Sequence, residues 1–122
     1  MGKPRSEIPA DELELYEKLA ATIPGVTVKG ATVPYTSLNG HMFSYLSKEG
    51  RLELRLPEQA REGFLKKYKT SLTMAYGLVQ KEYVVVPEKL LENTAELKEY
   101  FAQSFAYVSS LKPKATTKKK VN

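Results

Sequence analysis

The clearest pattern of apolar and polar positions lies between residues 35 and 57 and predicts a β-meander. Asn39-Gly40 tolerates positive φ and favours a tight hairpin turn. Met42 to Leu46 is an apolar run of strand length, and Lys48-Glu49-Gly50 marks a second turn. From Arg51 to Leu56 the residues alternate strictly, with leucines on one face and charged side chains on the other.

Helical periodicity flanks this meander on both sides. The first apolar stripe begins at Pro9 and stops at Pro24-Gly25, and the second begins at Pro57 and runs to Lys69. Pro87 opens a short helical turn, and Asn93, with Glu96 three residues on, has the spacing of a capping box for a helix through residue 111. Gly63, inside the second helix, costs on the order of 1 kcal/mol relative to alanine, which indicates close packing against the sheet.

The remaining segments predict strands less sharply. Residues 25–35 alternate weakly and are interpreted as a strand with a kink at Gly30, Thr70 to Gln80 is predicted to be a polar loop, and Lys81 to Val86 is the last strand. The element order is therefore α-β-β-β-α-β-α. It predicts an α+β fold in which an antiparallel meander sheet of about four strands has helices packed on one face.

The net charge of +5 is concentrated at one end of the chain. Five of the 19 basic residues lie between 112 and 120, and the other 14 balance the 14 acidic residues in 1–111. We therefore expect one domain over residues 1–111, followed by a disordered lysine-rich tail over residues 112–122.

Several kinds of chemistry are excluded or disfavoured. The absence of cysteine excludes disulfides, thiolate catalysis and cysteine-ligated metals. With one histidine and one aspartate, and no phosphate-binding or dinucleotide motif, we expect no metal, no cofactor and no enzymatic activity. A catalytic role for His41 with a carboxylate such as Glu49, Glu53 or Glu82 is the third-ranked alternative. No apolar stretch is long enough to span a bilayer and no secretory h-region is present, so we expect a cytoplasmic protein of bacterial type that does not contact a membrane.

The strand from Met42 to Leu46 is apolar on both faces, which predicts that something covers the second one. If the leucines of the following strand face the helices, the other face presents its charged side chains beside either Phe43 and Tyr45 or Met42, Ser44 and Leu46. The cover is the loop 70–80, a second copy of the chain or another protein. The candidate partner surface comprises Tyr35, His41, Phe43, Tyr45, Arg51 and Arg55.

Nucleic-acid binding through lysines is the second-ranked alternative. The tail supplies a dense positive charge for phosphates, and a second basic cluster lies at the end of the second helix. The neutral body and the lack of a recognised nucleic-acid motif count against it. The candidate contacts are Lys66, Lys67, Lys69, Lys112, Lys114, Lys118, Lys119 and Lys120.

Two stretches resemble the TfoX N-terminal domain family, also called TfoX/Sxy. They are Asn39 to Leu56, with its Asn-Gly turn, Met-Phe strand and alternating leucines, and Tyr83 to Leu91, with its Val-Pro-Glu step. The resemblance covers roughly residues 12–110, and the chain departs from it at Lys29 to Tyr35, where a Met-Phe-Gly-Gly type signature is missing. It implies a stand-alone domain of this fold, with a regulatory association with competence for DNA uptake. The expected function is a non-catalytic regulatory or accessory role through protein–protein contact.

Overall fold

The computed structural model describes residues 9–30, 33–75 and 77–113. These residues form four helices and five strands. They are α1 (Ala10–Ala20), β1 (Tyr35–Leu38), β2 (His41–Leu46), β3 (Leu52–Arg55), α2 (Glu58–Tyr68), β4 (Leu72–Ala75), β5 (Leu78–Val86), α3 (Glu88–Leu91) and α4 (Thr94–Ser109).

The strands form one antiparallel sheet in the order β1-β2-β3-β5-β4, with the helices packed on one face. Alternate side chains of β2, β3 and β5 face the helices, and those in register form rows across the sheet. One such row is Leu46, Leu52 and Val86. Tyr16 of α1 and Phe101 of α4 are fully buried against this layer. The predicted α+β class and the meander of β1, β2 and β3 are confirmed, but the sheet has five strands rather than about four.

The first strand lies later in the chain than the sequence predicts. Instead of a kinked strand over residues 25–35, the described part of this segment makes a single bridge between Lys29 and Tyr35. Gly30 has a φ of 101°, and a Cβ placed there would lie 2.2 Å from the carbonyl oxygen of Val33. The chain therefore turns sharply at Gly30, and β1 begins only after Pro34.

The prediction of a polar loop over residues 70–80 is wrong, because this segment forms β4 and the first part of β5. Gly77 has a φ of 75°, and its left-handed conformation suits the tight turn between the two strands. The register shifts between Leu72, which pairs with Val84, and Thr73, which pairs with Gln80. The residues skipped in this shift, Lys81 to Tyr83, all lie in β5.

A β-bulge at Phe43 resolves the strand with two apolar faces. Thr36 pairs with Ser44 and Ser37 pairs with Met42, so Phe43 is an extra residue in β2. Phe43 packs on Phe101 and Phe105 of α4, and Ser44 is hydrogen-bonded to Tyr16 of α1. Neither predicted division of β2 into two faces is correct, because two consecutive side chains point to the helices.

Three details of the helices bear on the predictions made from the sequence. Gly63 is exposed, and an added Cβ there would meet no atom within 4 Å, so its expected close packing against the sheet is wrong. The capping box is confirmed, since the Asn93 side chain accepts a hydrogen bond from the Glu96 backbone N–H at 3.2 Å. Helix α4 ends at Ser109 rather than at residue 111. The predicted disorder of the tail concerns residues that, from 114 onward, lie outside those described.

A candidate binding groove on the open face of the sheet

The face of the sheet opposite the helices carries an open groove of about 680 Å³. Its lining mixes aromatic, thioether and charged side chains. They are Val33, Tyr35, Met42, Tyr45, Ser47, Lys48, Glu49, Arg51, Glu53, Met74, Gln80 and Tyr83. This volume lies within the range of small-molecule sites, and the apolar floor with a few polar groups is typical of a binding surface.

Strand register brings the aromatic side chains together. Tyr35 of β1 lies opposite Tyr45 of β2, and Tyr45 lies opposite Glu53 of β3. Arg55, two residues after Glu53 in β3, pairs with Tyr83 of β5. The Tyr83 ring lies 5.8 Å from the Tyr45 ring. Residues that are far apart in sequence therefore form one continuous aromatic floor.

Glu53 is a buried carboxylate in this floor, with only 1% of its surface exposed. Arg51 donates from Nε to Oε2 at 3.2 Å, and the Thr73 hydroxyl donates to Oε1. Both carboxylate oxygens therefore have partners, as a buried charge requires. The predicted polar face of β3 is thus not simply exposed, because the unpredicted strand β4 covers Glu53 with Thr73.

Tyr83 is held by a backbone contact. Its hydroxyl donates to the Met42 carbonyl oxygen at 2.7 Å, on the strand that carries the bulge. Burial raises the pKa of Tyr83 to about 12, although the positive charge of Arg55 acts to lower it. The phenol therefore keeps its proton, and its hydrogen bond to Met42, to a higher pH than an ordinary tyrosine.

A second network lies around Arg55 and ties the sheet to α4. Arg55 donates to Glu82 at 2.7 Å, and the Tyr107 hydroxyl donates to the other carboxylate oxygen at 2.8 Å. The Arg55 guanidinium also lies 5.5 Å from the centre of the Tyr107 ring. Partial burial acts to raise the pKa of Glu82, but the hydrogen bonds from Tyr107 and Arg55 outweigh it and leave the pKa below its usual value.

The structure divides the candidate partner surface. Tyr35, Tyr45 and Arg51 line the groove, and Arg55 lies next to it in the network just described. Phe43 does not belong to the surface, because the bulge buries it completely.

His41 is also separate from the groove. Its Nε2–H donates to the Lys112 carbonyl oxygen at 2.8 Å, which holds the described end of the chain against β2. The groove contains Glu49 and Glu53 but not His41, so it does not bring together the constellation that a catalytic role would need.

The helical lysines form an exposed cluster at the end of α2. Lys66, Lys67 and Lys69 are exposed, and Lys67 lies 3.9 Å from Glu96 and 5.3 Å from the centre of the Tyr68 ring. Lys112 is exposed as well. The other predicted nucleic-acid contacts, Lys114, Lys118, Lys119 and Lys120, lie outside the described residues.

The described ranges contain neither a cluster of metal-ligating side chains nor a membrane-spanning helix. Across residues 9–30, 33–75 and 77–113, no three or more histidine, aspartate or glutamate side chains cluster so that they could hold a metal ion. No helix in the same ranges has the length and apolar character needed to cross a membrane. Comparisons of the chain with protein-family models, with curated proteins and with solved structures find no match.

Sequence analysis missed Tyr83 and Met74, which line the groove, and Thr73, which donates a hydrogen bond to the groove residue Glu53. Tyr83 could have been found from alternation alone, because it shares a face with Val85 while Val84 and Val86 point to the core. Thr73 and Met74 could not, since the segment was predicted to be a loop. Their place in the site depends on the pairing of β4 with β5.

Proposed function

We propose that this protein is a non-catalytic regulatory or accessory domain that binds another protein through the groove. The observation that carries the proposal is the one-sided cover of the sheet. All helices pack on one face, and the opposite face retains an aromatic and thioether floor. An apolar floor with a few convergent polar groups is the usual composition of a binding site.

The composition of the groove supports a protein partner. Interface cores are enriched in tyrosine, methionine and arginine and are rimmed by polar groups. The groove combines Tyr35, Tyr45 and Tyr83 with two methionines, and Lys48 and Glu49 lie at its rim. Met42 is 37% exposed and Met74 is 58% exposed, so both are available for contact.

The resemblance to the TfoX N-terminal domain family is part of the same proposal. It adds a bacterial, cytoplasmic and competence-related regulatory setting to the inferred binding role. What supports it is the sequence resemblance alone, at Asn39 to Leu56 and at Tyr83 to Leu91.

Quantitative affinity capture from an extract of the source cells tests the binding role. Wild type is compared with Met42→Glu, which places a charge on the groove floor, and with Ala102→Glu, a matched change on the exposed side of α4. We expect proteins that are captured by wild type and Ala102→Glu and are lost with Met42→Glu. Capture that does not distinguish the two variants would contradict the proposal.

The nucleic-acid alternative is measured in parallel, since Lys66, Lys67 and Lys69 are exposed together. Binding to DNA and RNA is followed against salt concentration, with and without residues 112–122. A steep loss of binding with salt that depends on the tail would favour this alternative over the groove.

A further inference from the structure

We infer that β4 is a pairing edge through which two copies of this chain associate, strand against strand. β4 is the last strand of the sheet, and within the described ranges it pairs only with β5. An outer strand carries backbone N–H and C=O groups that can pair with another strand. This inference goes beyond the groove proposal, because it rests on the backbone edge of the sheet; the two share the side chain of Met74, which lies on β4 and also lines the groove.

The two edge strands of the sheet, β1 and β4, differ in how far their outward backbone groups are covered. At the β1 edge, Lys29 and Tyr35 exchange two backbone hydrogen bonds of 2.8 and 2.9 Å, so part of that edge is covered. β1 also lies opposite the bulge of β2, which distorts the edge further. Natural proteins protect edges by such covers and bulges and by lysine or proline in the strand. β4 has neither lysine nor proline, and its register shift lies at its first step, between Leu72 and Thr73, so that Thr73 to Ala75 pair regularly with Gln80 to Leu78.

The composition of β4 fits pairing with itself. Residues 71–75, Ser-Leu-Thr-Met-Ala, contain no charge. In an antiparallel pair formed about a two-fold axis, each residue lies opposite its own copy or a near neighbour, so a charged residue would meet its like. An uncharged strand meets no such repulsion, and a second copy supplies a perfectly matched partner edge.

The exposed apolar side chains are concentrated at the same place. Met74 is 58% exposed, and the adjacent Leu78 and Val79 of β5 are 67% and 49% exposed. Apart from Met42, these are the large hydrophobic residues exposed among the described positions. Pairing across β4 would bring the two hairpins side by side and bury part of this surface, which adds apolar contact to the backbone hydrogen bonds.

Light scattering coupled to size exclusion, over a range of protein concentrations, tests the association. We expect wild type to approach twice the chain mass of 13.7 kDa as concentration rises. Met74→Lys places like charges on the edge, each opposite its own copy or a near neighbour, and should weaken the dimer about tenfold or more. Ala102→Lys is the control, because it adds the same charge to an exposed residue of α4, away from β4 and from the exposed apolar side chains beside it.

Hydrogen exchange of the peptide that contains β4 provides a second readout that does not depend on a variant. In wild type its protection should rise with protein concentration, because pairing occupies the outward backbone groups. A monomer at every concentration would overturn the inference. So would a dimer whose β4 amides stay unprotected, or one that Ala102→Lys disrupts as strongly as Met74→Lys.

Discussion

Replacing Gly63 by alanine should stabilise the protein. Gly63 lies in the interior of α2, it is not among the residues with positive φ, and an added Cβ would meet nothing within 4 Å. Glycine in a helix interior is less favourable than alanine by about 0.5–1 kcal/mol, mainly because its unfolded chain has more freedom. With no steric cost to subtract, Gly63→Ala should raise the free energy of unfolding by about that amount, or the Tm by roughly 2–6 °C.

Gly25→Ala is the matched control for this prediction. Gly25 is also exposed with no atom within 4 Å of an added Cβ, but its φ is 88°. Alanine in this left-handed conformation costs about 1 kcal/mol or more, so the same chemical change should destabilise the protein there. Urea denaturation followed by circular dichroism gives both values. If both variants shift the free energy of unfolding in the same direction, backbone conformation is not the deciding factor and the reasoning fails.

Three further predictions concern single side chains. In the folded protein the pKa of Tyr83 is about 12, against the usual 10, so the unfolded chain loses this proton first. The free energy of unfolding should therefore fall by up to about 2–3 kcal/mol between pH 10 and 12, and it should fall by less in Tyr83→Phe. Urea denaturation at each pH measures both changes. The lowered pKa of Glu82 gives stability that is present above its usual value and lost as pH falls through the folded value; Tyr107→Phe should reduce this acid loss, and an equal loss in both proteins would refute it. Phe43→Ala should cost about 3–5 kcal/mol in urea denaturation, whereas Met42→Ala, at a 37% exposed position, should cost far less.

The sequence pattern predicts the local structure correctly where the type of one or two residues determines the backbone conformation. The turn at Asn39-Gly40 is an example, since both residues have positive φ, of 55° and 85°. The alternating leucines of β3 point to the core as predicted, and Asn93 caps α4. In these places the sequence pattern and the tertiary environment favour the same conformation.

The failures share a physical cause, which is dependence on a partner strand. β4 is only four residues long, too short for its alternation of Leu72, Thr73 and Met74 to mark a strand, and it pairs with β5 across an irregular register. The burial of Glu53 follows from that pairing, because Thr73 covers it. The groove floor likewise requires the register of β1, β2, β3 and β5 together. A single sequence does not contain these pairings explicitly.

The bulge at Phe43 makes β2 tolerant of a change in length. Without Phe43, Met42 and Ser44 would become neighbours, and the pairings of Ser37 with Met42 and of Thr36 with Ser44 would form one regular ladder. Tyr45 and Leu46 would keep their faces, since the extra residue alone causes the two consecutive inward side chains. Deletion of this codon would therefore remove one core ring and the Phe43 carbonyl that accepts from Ser104, while the sheet register stays intact. In this strand the aromatic residue is an insertion into an otherwise regular ladder.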